Sequence, residues 1–145
     1  MKKLANWLAL SISLLSMGIF NPFWPIWGES YVADYGNGHF INITSSSLTS
    51  FLNNDHYSSF QHFSAIFSLV CLYLATAVLI VAIIISFAKK KDYAVIDYSL
   101  IGLLIVSSIF LPFTCRYQTM LFILYSFLPL VGGLMILIKR FKRTK

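Results

Sequence analysis

Asp97 is the side chain best placed in this sequence to do chemistry. Five residues are acidic. Glu29, Asp34 and Asp55 fall in a polar segment and Asp92 in a short basic one, whereas Asp97 falls inside an apolar stretch. It follows Lys91 by six residues, which puts it about 9 Å along a helix that starts there. A carboxylate at that depth is a candidate relay for protons or cations. A simpler reading is also available. Asp97 lies near the amino end of its helix, where the dipole favours negative charge, and Lys89 to Lys91 can reach back to it.

Other chemistry finds less support. His39, His56 and His62, with Glu29, Asp34 or Asp55, are the only metal-ligand types near one another. The six-residue step from His56 to His62 is a poor ligand spacing on a helix, and neither HExxH nor a paired CxxC occurs, so no metal is expected. Cys71 falls mid-stretch and Cys115 at a stretch end. The depth difference of about 15 Å forbids a disulfide between them. No GxSxG, P-loop or Ser/Lys dyad is present, and the serines within apolar stretches read as packing groups. The chain is expected to be no enzyme and to carry no cofactor.

The elements that must position these residues follow from charge and hydropathy. The chain is 58% hydrophobic and 17% aromatic, with a mean hydropathy of +0.77, outside the range of ordinary soluble domains. Four apolar stretches run over about 4–20, 57–88, 93–113 and 119–138. Lys2 and Lys3 precede the first. Lys89, Lys90 and Lys91 separate the second from the third. Lys139, Arg140, Lys142, Arg143 and Lys145 follow the fourth. Of the 11 basic residues, only Arg116 falls on the other side. Basic loops stay in the cytoplasm. The expectation is a single all-α domain, a four-transmembrane-helix antiparallel bundle in the plasma or cytoplasmic membrane with both ends inside. The basic residues hug helix ends, facing anionic head groups, and nucleic acid is not expected as a partner. The first stretch also resembles a signal peptide, but Phe20 to Trp24 is a poor cleavage site, so retention as an anchor is expected.

Residues 21–56 form the one long outer loop. Pro22-Phe23-Trp24-Pro25-Ile26-Trp27 places aromatic residues at the level of the head groups. Tyr31 to Tyr35 and His39 to Thr44 flank Gly36-Asn37-Gly38, which predicts a β-hairpin with Tyr31, Ala33 and Tyr35 on one face and Ile41 and Ile43 on one face of the partner strand. Asn42-Ile43-Thr44 is a glycosylation sequon if the source is a eukaryote. Ser45 to Ser47 can cap a short helix carrying Leu48, Phe51 and Leu52, and Asn53 to Asp55 can cap the next one. Pro129 followed by Gly132-Gly133 predicts a kink in the second half of the fourth span.

Helices in lipid associate through small residues, because lipid removes the hydrophobic drive. Ala5, Ala9, Ser13 and Ser16 share one face of the first span. Ser64, Ser68, Cys71, Ala75 and Ala82 share one face of the second. Ser99 and Gly102 serve the third, and Ser126 and Gly133 the fourth.

This order of parts resembles the claudin and peripheral-myelin-protein class of tetraspan proteins: four spans, both ends inside, a long β-containing first outer loop and a short second one. Trp24 and Trp27 stand where that class has loop tryptophans. The outer-loop cysteine pair of the class is absent, and Pro25-Ile26-Trp27 replaces its Gly-Leu-Trp. The resemblance is one of architecture and covers the whole chain loosely. The reading is a non-enzymatic accessory or adaptor subunit embedded in the lipid bilayer, partnered by another membrane protein or by itself. Trp24, Trp27, Tyr31, Tyr35, Phe40 and Phe51 are its candidate docking residues. The alternatives are a small oligomeric transporter or channel using Asp97, and a bacteriocin-immunity-type protection factor.

Overall fold

The structure, a computed structural model, describes residues 2–24, 27, 31–34, 40–43, 47–55, 57–89, 93–114 and 120–144. Tyr35, His39, His56, Lys90, Lys91, Cys115 and Arg116 lie outside these residues. The chain is predominantly helical. In order come α1 (Lys2–Ile19), β1 (Tyr31–Asp34), β2 (Phe40–Ile43), α2 (Leu48–Leu52), α3 (Ser59–Lys89), α4 (Ala94–Phe110) with a terminal 3-10 turn (Leu111–Thr114), α5 (Met120–Ser126) and α6 (Leu128–Thr144). Three helical segments are long and apolar enough to cross a membrane: Ser59–Ala88, Ala94–Thr114 and Ile123–Phe141. The apolar part of α1, Leu4–Ile19, is shorter.

Side-chain contacts fix the helix directions. Trp7 packs edge-on to Phe87 at 6.5 Å, and Ser13 meets Thr76 at 2.9 Å, so α1 and α3 run antiparallel. Phe60 meets Phe113 at 5.9 Å and Phe67 meets Phe110 at 5.1 Å, which sets α3 antiparallel to α4. Asp97 and Asn6 both meet Lys139, so α6 opposes α4 and α1. The four helices close a ring in the order α1, α3, α4, α6. Ala9, Leu72, Ala75, Leu79, Leu100, Leu104 and Ile136 fill its centre.

Local chemistry explains the boundaries. Ser58 and Gln61 cap α3 reciprocally: the Gln61 amide donates to Ser58 Oγ at 3.2 Å, and the Ser58 amide donates to Gln61 Oε1 at 2.8 Å. This S-x-x-Q box holds the helix start, the task the sequence analysis assigned to Asn53 to Asp55. Ser47 caps α2, accepting from the Ser50 amide.

The fourth helical segment differs from expectation in two ways. It breaks at Phe127, ahead of Pro129 rather than in its second half. Pro129 has no N–H to offer Tyr125 and crowds that carbonyl, so the chain restarts as α6 with proline at its second position, where no amide is needed. The helix then runs on to Thr144. Its basic residues stay helical because Lys139 and Arg140 continue the inward face of Pro129, Gly133 and Ile136 at helical spacing.

β1 and β2 pair antiparallel with Tyr31 opposite Ile43 and Ala33 opposite Ile41. The register is symmetric about position 37, within Gly36-Asn37-Gly38 in the sequence.

Small residues act at some of the expected places. Ala9, Ser13, Ser64, Ser68 and Ala75 are buried between helices, and Ala5 is half-buried. Gly133 is buried against α4, and a Cβ there would lie 3.5 Å from Leu104 Cβ and 3.8 Å from the Ile101 carbonyl oxygen. Gly102 is a correction: it is exposed, with nothing within 4 Å of an added Cβ. Its neighbours Ile101 and Leu104 turn inward, and the helical period puts position 102 outside. A methyl group fits at Gly133, but a branched side chain overlaps α4. Gly133→Ala should leave stability near the parent, whereas Gly133→Leu should cost about 1–3 kcal/mol and Gly102→Leu almost nothing. Denaturant titration in detergent micelles measures the difference.

Candidate functional site

Two buried clusters stand at opposite ends of the bundle. The inner one forms where the first turns of α1 and α4 meet the carboxyl-terminal part of α6. Asp97, in the first turn of α4, is buried. Lys139 Nζ lies 3.0 Å from its Oδ1, and Arg140 Nε lies 2.7 Å from its Oδ2. The Lys139 contact is a hydrogen bond; the Arg140 contact is an ion pair whose N–H is not aligned on the oxygen. Lys139 Nζ also donates to Asn6 Oδ1 at 2.9 Å. The Arg140 guanidinium sits 5.9 Å from the Tyr98 ring centre, in cation–π range.

The electrostatic logic is that of charges out of water. A lone buried carboxylate is very costly, and pairing offsets that cost only with good geometry and further hydrogen bonds. Here each carboxylate oxygen faces its own cation, and one cation has a neutral acceptor besides. The α4 dipole adds a smaller favourable contribution. Among the described residues its partners are Lys139 and Arg140 of α6; of the Lys89 to Lys91 segment expected from sequence, Lys90 and Lys91 lie outside those residues. That inner segment is nearer along the chain, but the ring arrangement brings α6 alongside α4. Asn6, Lys139 and Arg140 were missed as site residues. Their signal was present: Asn6 lies three residues before Ala9, and Lys139 three after Ile136, each on the inward face of its helix.

The outer cluster is aromatic. Phe20, Trp27, Phe51, Tyr57, Ala65, Leu69 and Leu111 form one buried group. Phe20 and Trp27 rings are 6.3 Å apart, Phe51 and Tyr57 4.4 Å, and Phe51 meets His62 edge-on at 5.2 Å. Trp27 Nε1 donates to the Asn21 carbonyl at 3.1 Å, and the Leu48 amide donates to the Pro22 carbonyl at 2.9 Å. These bonds clamp α2 over the outer end of α1. Trp27 and Phe51 are fully buried, so they hold the cap together and are not presented to a partner. Trp24 is exposed, as is Phe23. Tyr31 and Phe40 lie on the paired strands.

Between the clusters, hydroxyls join the helices. Thr76 Oγ1 spends its proton on the Leu72 carbonyl at 2.9 Å, so Ser13 is the donor in the Ser13–Thr76 bond. Ser16 and Ser68 bond to carbonyls of their own helices. Ser64, Ser107 and Ser108 are buried with no hydrogen-bond partner among the described residues, and what they contribute there is small volume for close helix approach. Among the described residues no three His, Cys, Asp or Glu side chains are grouped to hold a metal. Comparison with models of known protein families, with curated proteins and with solved structures finds no match.

Removing the one carboxylate strands two cations. Asp97→Asn should destabilise the bundle by about 3 kcal/mol, and the apolar triple variant Asp97→Leu, Lys139→Met, Arg140→Leu should recover most of that loss in the same unfolding titration. At the outer end, Trp27→Ala or Phe51→Ala should each cost about 3 kcal/mol. Trp24→Ala should stay within about 0.5 kcal/mol of the parent.

Proposed function

We propose that this protein is a small four-span membrane adaptor, with both ends cytoplasmic, that docks another membrane or surface protein through its outer segment. The observation that carries the reading is the state of Asp97. Both of its oxygens face cations of the same chain, so the residue on which a transport path would depend is used as an internal clamp. Catalysis likewise needs convergent polar groups open to a substrate, and this polar cluster is closed and charge-paired.

Further support comes from the two ends. Asn6 and Lys139 join the amino-terminal end of α1 to the carboxyl-terminal part of α6. If α6 crosses the bilayer, the two chain ends share a side, and their lysines and arginines place that side in the cytoplasm. At the other end, Trp27 and Phe51 build a buried aromatic cap, and the β1–β2 ribbon lies between them in the sequence. A two-stranded ribbon is marginal alone in water, so a surface that receives it is part of the reading. Tyr31, Tyr35 and Phe40 are its docking residues, in keeping with the part aromatic side chains take as interface anchors.

Gentle-detergent purification of tagged protein from its native membrane should recover a stoichiometric partner. The variant Tyr31→Ser, Tyr35→Ser, Phe40→Ser should insert normally and lose that partner. Undiminished recovery by the variant would count against docking through the ribbon. A bare homo-oligomer from the parent protein would shift weight to assembly with itself.

A further inference from the structure

The helix α1 is too short for the membrane its neighbours are built to cross. Leu4–Ile19 covers about 24 Å at 1.5 Å per residue, against a hydrocarbon core of about 30 Å. The segment Ser59–Ala88 beside it in the ring has 30 residues, more than enough for the full thickness. A short span ordinarily adapts by shifting along its axis, by thinning the bilayer or by anchoring its flanks. Shifting is blocked here. Asn6 is bonded to Lys139 at the inner end, and Phe20 is fully buried in the aromatic cluster at the outer end.

The missing height coincides with Phe23 and Trp24. The outward face of α1 carries Leu4, Trp7, Leu8, Leu14 and Leu15, with Ser11 among them donating its hydroxyl to the Trp7 carbonyl at 3.0 Å. Beyond the helix end, Phe23 is 85% and Trp24 55% exposed. Both are held in a tight turn: the Phe23 amide donates to Asn21 Oδ1 at 2.9 Å, and the Trp24 amide to the Asn21 carbonyl at 3.1 Å. Two large aromatics fixed in an exposed position next to a span fit the boundary between head groups and acyl chains, where the amphipathic indole is most at home. Across the ring, the aromatic contacts of α3 with α4 and its 3-10 turn, Phe60 with Phe113 and Phe63 with Phe110, lie at the same end of the bundle.

We infer that the Phe23–Trp24 turn is a lipid-binding anchor that enters the outer leaflet and completes the span of α1. The surface takes lipid at the head-group boundary, which leaves protein docking to the ribbon. The inference rests on the four-span reading and is independent of whether a docking partner is found.

The test uses full-length protein carrying Cys71→Ser and Cys115→Ser, with Phe23→Cys bearing an environment-sensitive NBD label, in phosphatidylcholine–phosphatidylglycerol vesicles free of other proteins. Asp55→Cys, at an exposed outer position, is the aqueous control. The Phe23 label should emit to the blue of the control, and lipids spin-labelled near the head group should quench it about twofold more than the control. Emission equal to the control and no lipid quenching would overturn the anchor. In intact cells, an impermeant maleimide on Lys3→Cys and Asp55→Cys reports whether α1 crosses. Opposite sidedness with a water-exposed Phe23 label overturns the anchor alone, while equal sidedness overturns the four-span reading with it. A second readout keeps Phe23 in place. In Trp7→Phe protein, brominated lipid should quench Trp24 emission and leave that of buried Trp27, and uniform brightness would again overturn the anchor.

Discussion

A buried carboxylate held between two cations sets the geometry of the inner half of this protein. Asp97 on α4 cannot lie in a low-dielectric interior without compensation, and its compensation comes from a different helix, forty-two residues along the chain. That requirement fixes α6 beside α4 and sets the relative height of the two helices. Asn6 extends the constraint to α1. Replacing such pairs with apolar side chains is often neutral for stability. What the cluster adds is register: Lys139 finds its two partners only when three helices are at one height.

Away from the clamp, the bundle obeys the rules of lipid-embedded packing. Lipid is as apolar as leucine, so helix association draws on close contact and a few hydrogen bonds. The close approach of Gly133 to Leu104 and the bond from Ser13 to Thr76 are instances of each, bonds of the latter kind averaging about 0.6 kcal/mol in such settings. At the outer end the solvent changes to water and head groups, and the means change with it. There Phe20, Trp27, Phe51 and Tyr57 make an ordinary aromatic core, and backbone bonds such as Leu48 to Pro22 tie the loop to the helix end. The molecule therefore has a charged lock at one end, a hydroxyl and small-residue middle and an aromatic cap at the other end.

Much of this plan was legible along the chain. Apolar runs ended by lysine clusters, prolines and polar loops give the helices, because transfer into lipid depends on each segment's own composition. The Ser47 cap of α2 follows from local capping chemistry. The break ahead of Pro129 was legible as a kink but misplaced by a few residues, because proline disturbs the carbonyl four residues earlier more than its own position.

Other features were decided only when the helices met. The sequence by itself determined which segments are apolar, where the charges lie and which residues share a helical face. It did not determine that Asp97 takes Lys139 and Arg140, that Asn6 joins them, or that Trp27 and Phe51 turn inward while Trp24 stays out. Nor did it separate Gly133, pressed against α4, from Gly102, which faces outward. These depend on which face of each helix meets which neighbour and at what height. Several pairings of similar small-residue faces are compatible with the same local pattern, and the choice among them rests on the summed packing and charge pairing of the whole ring.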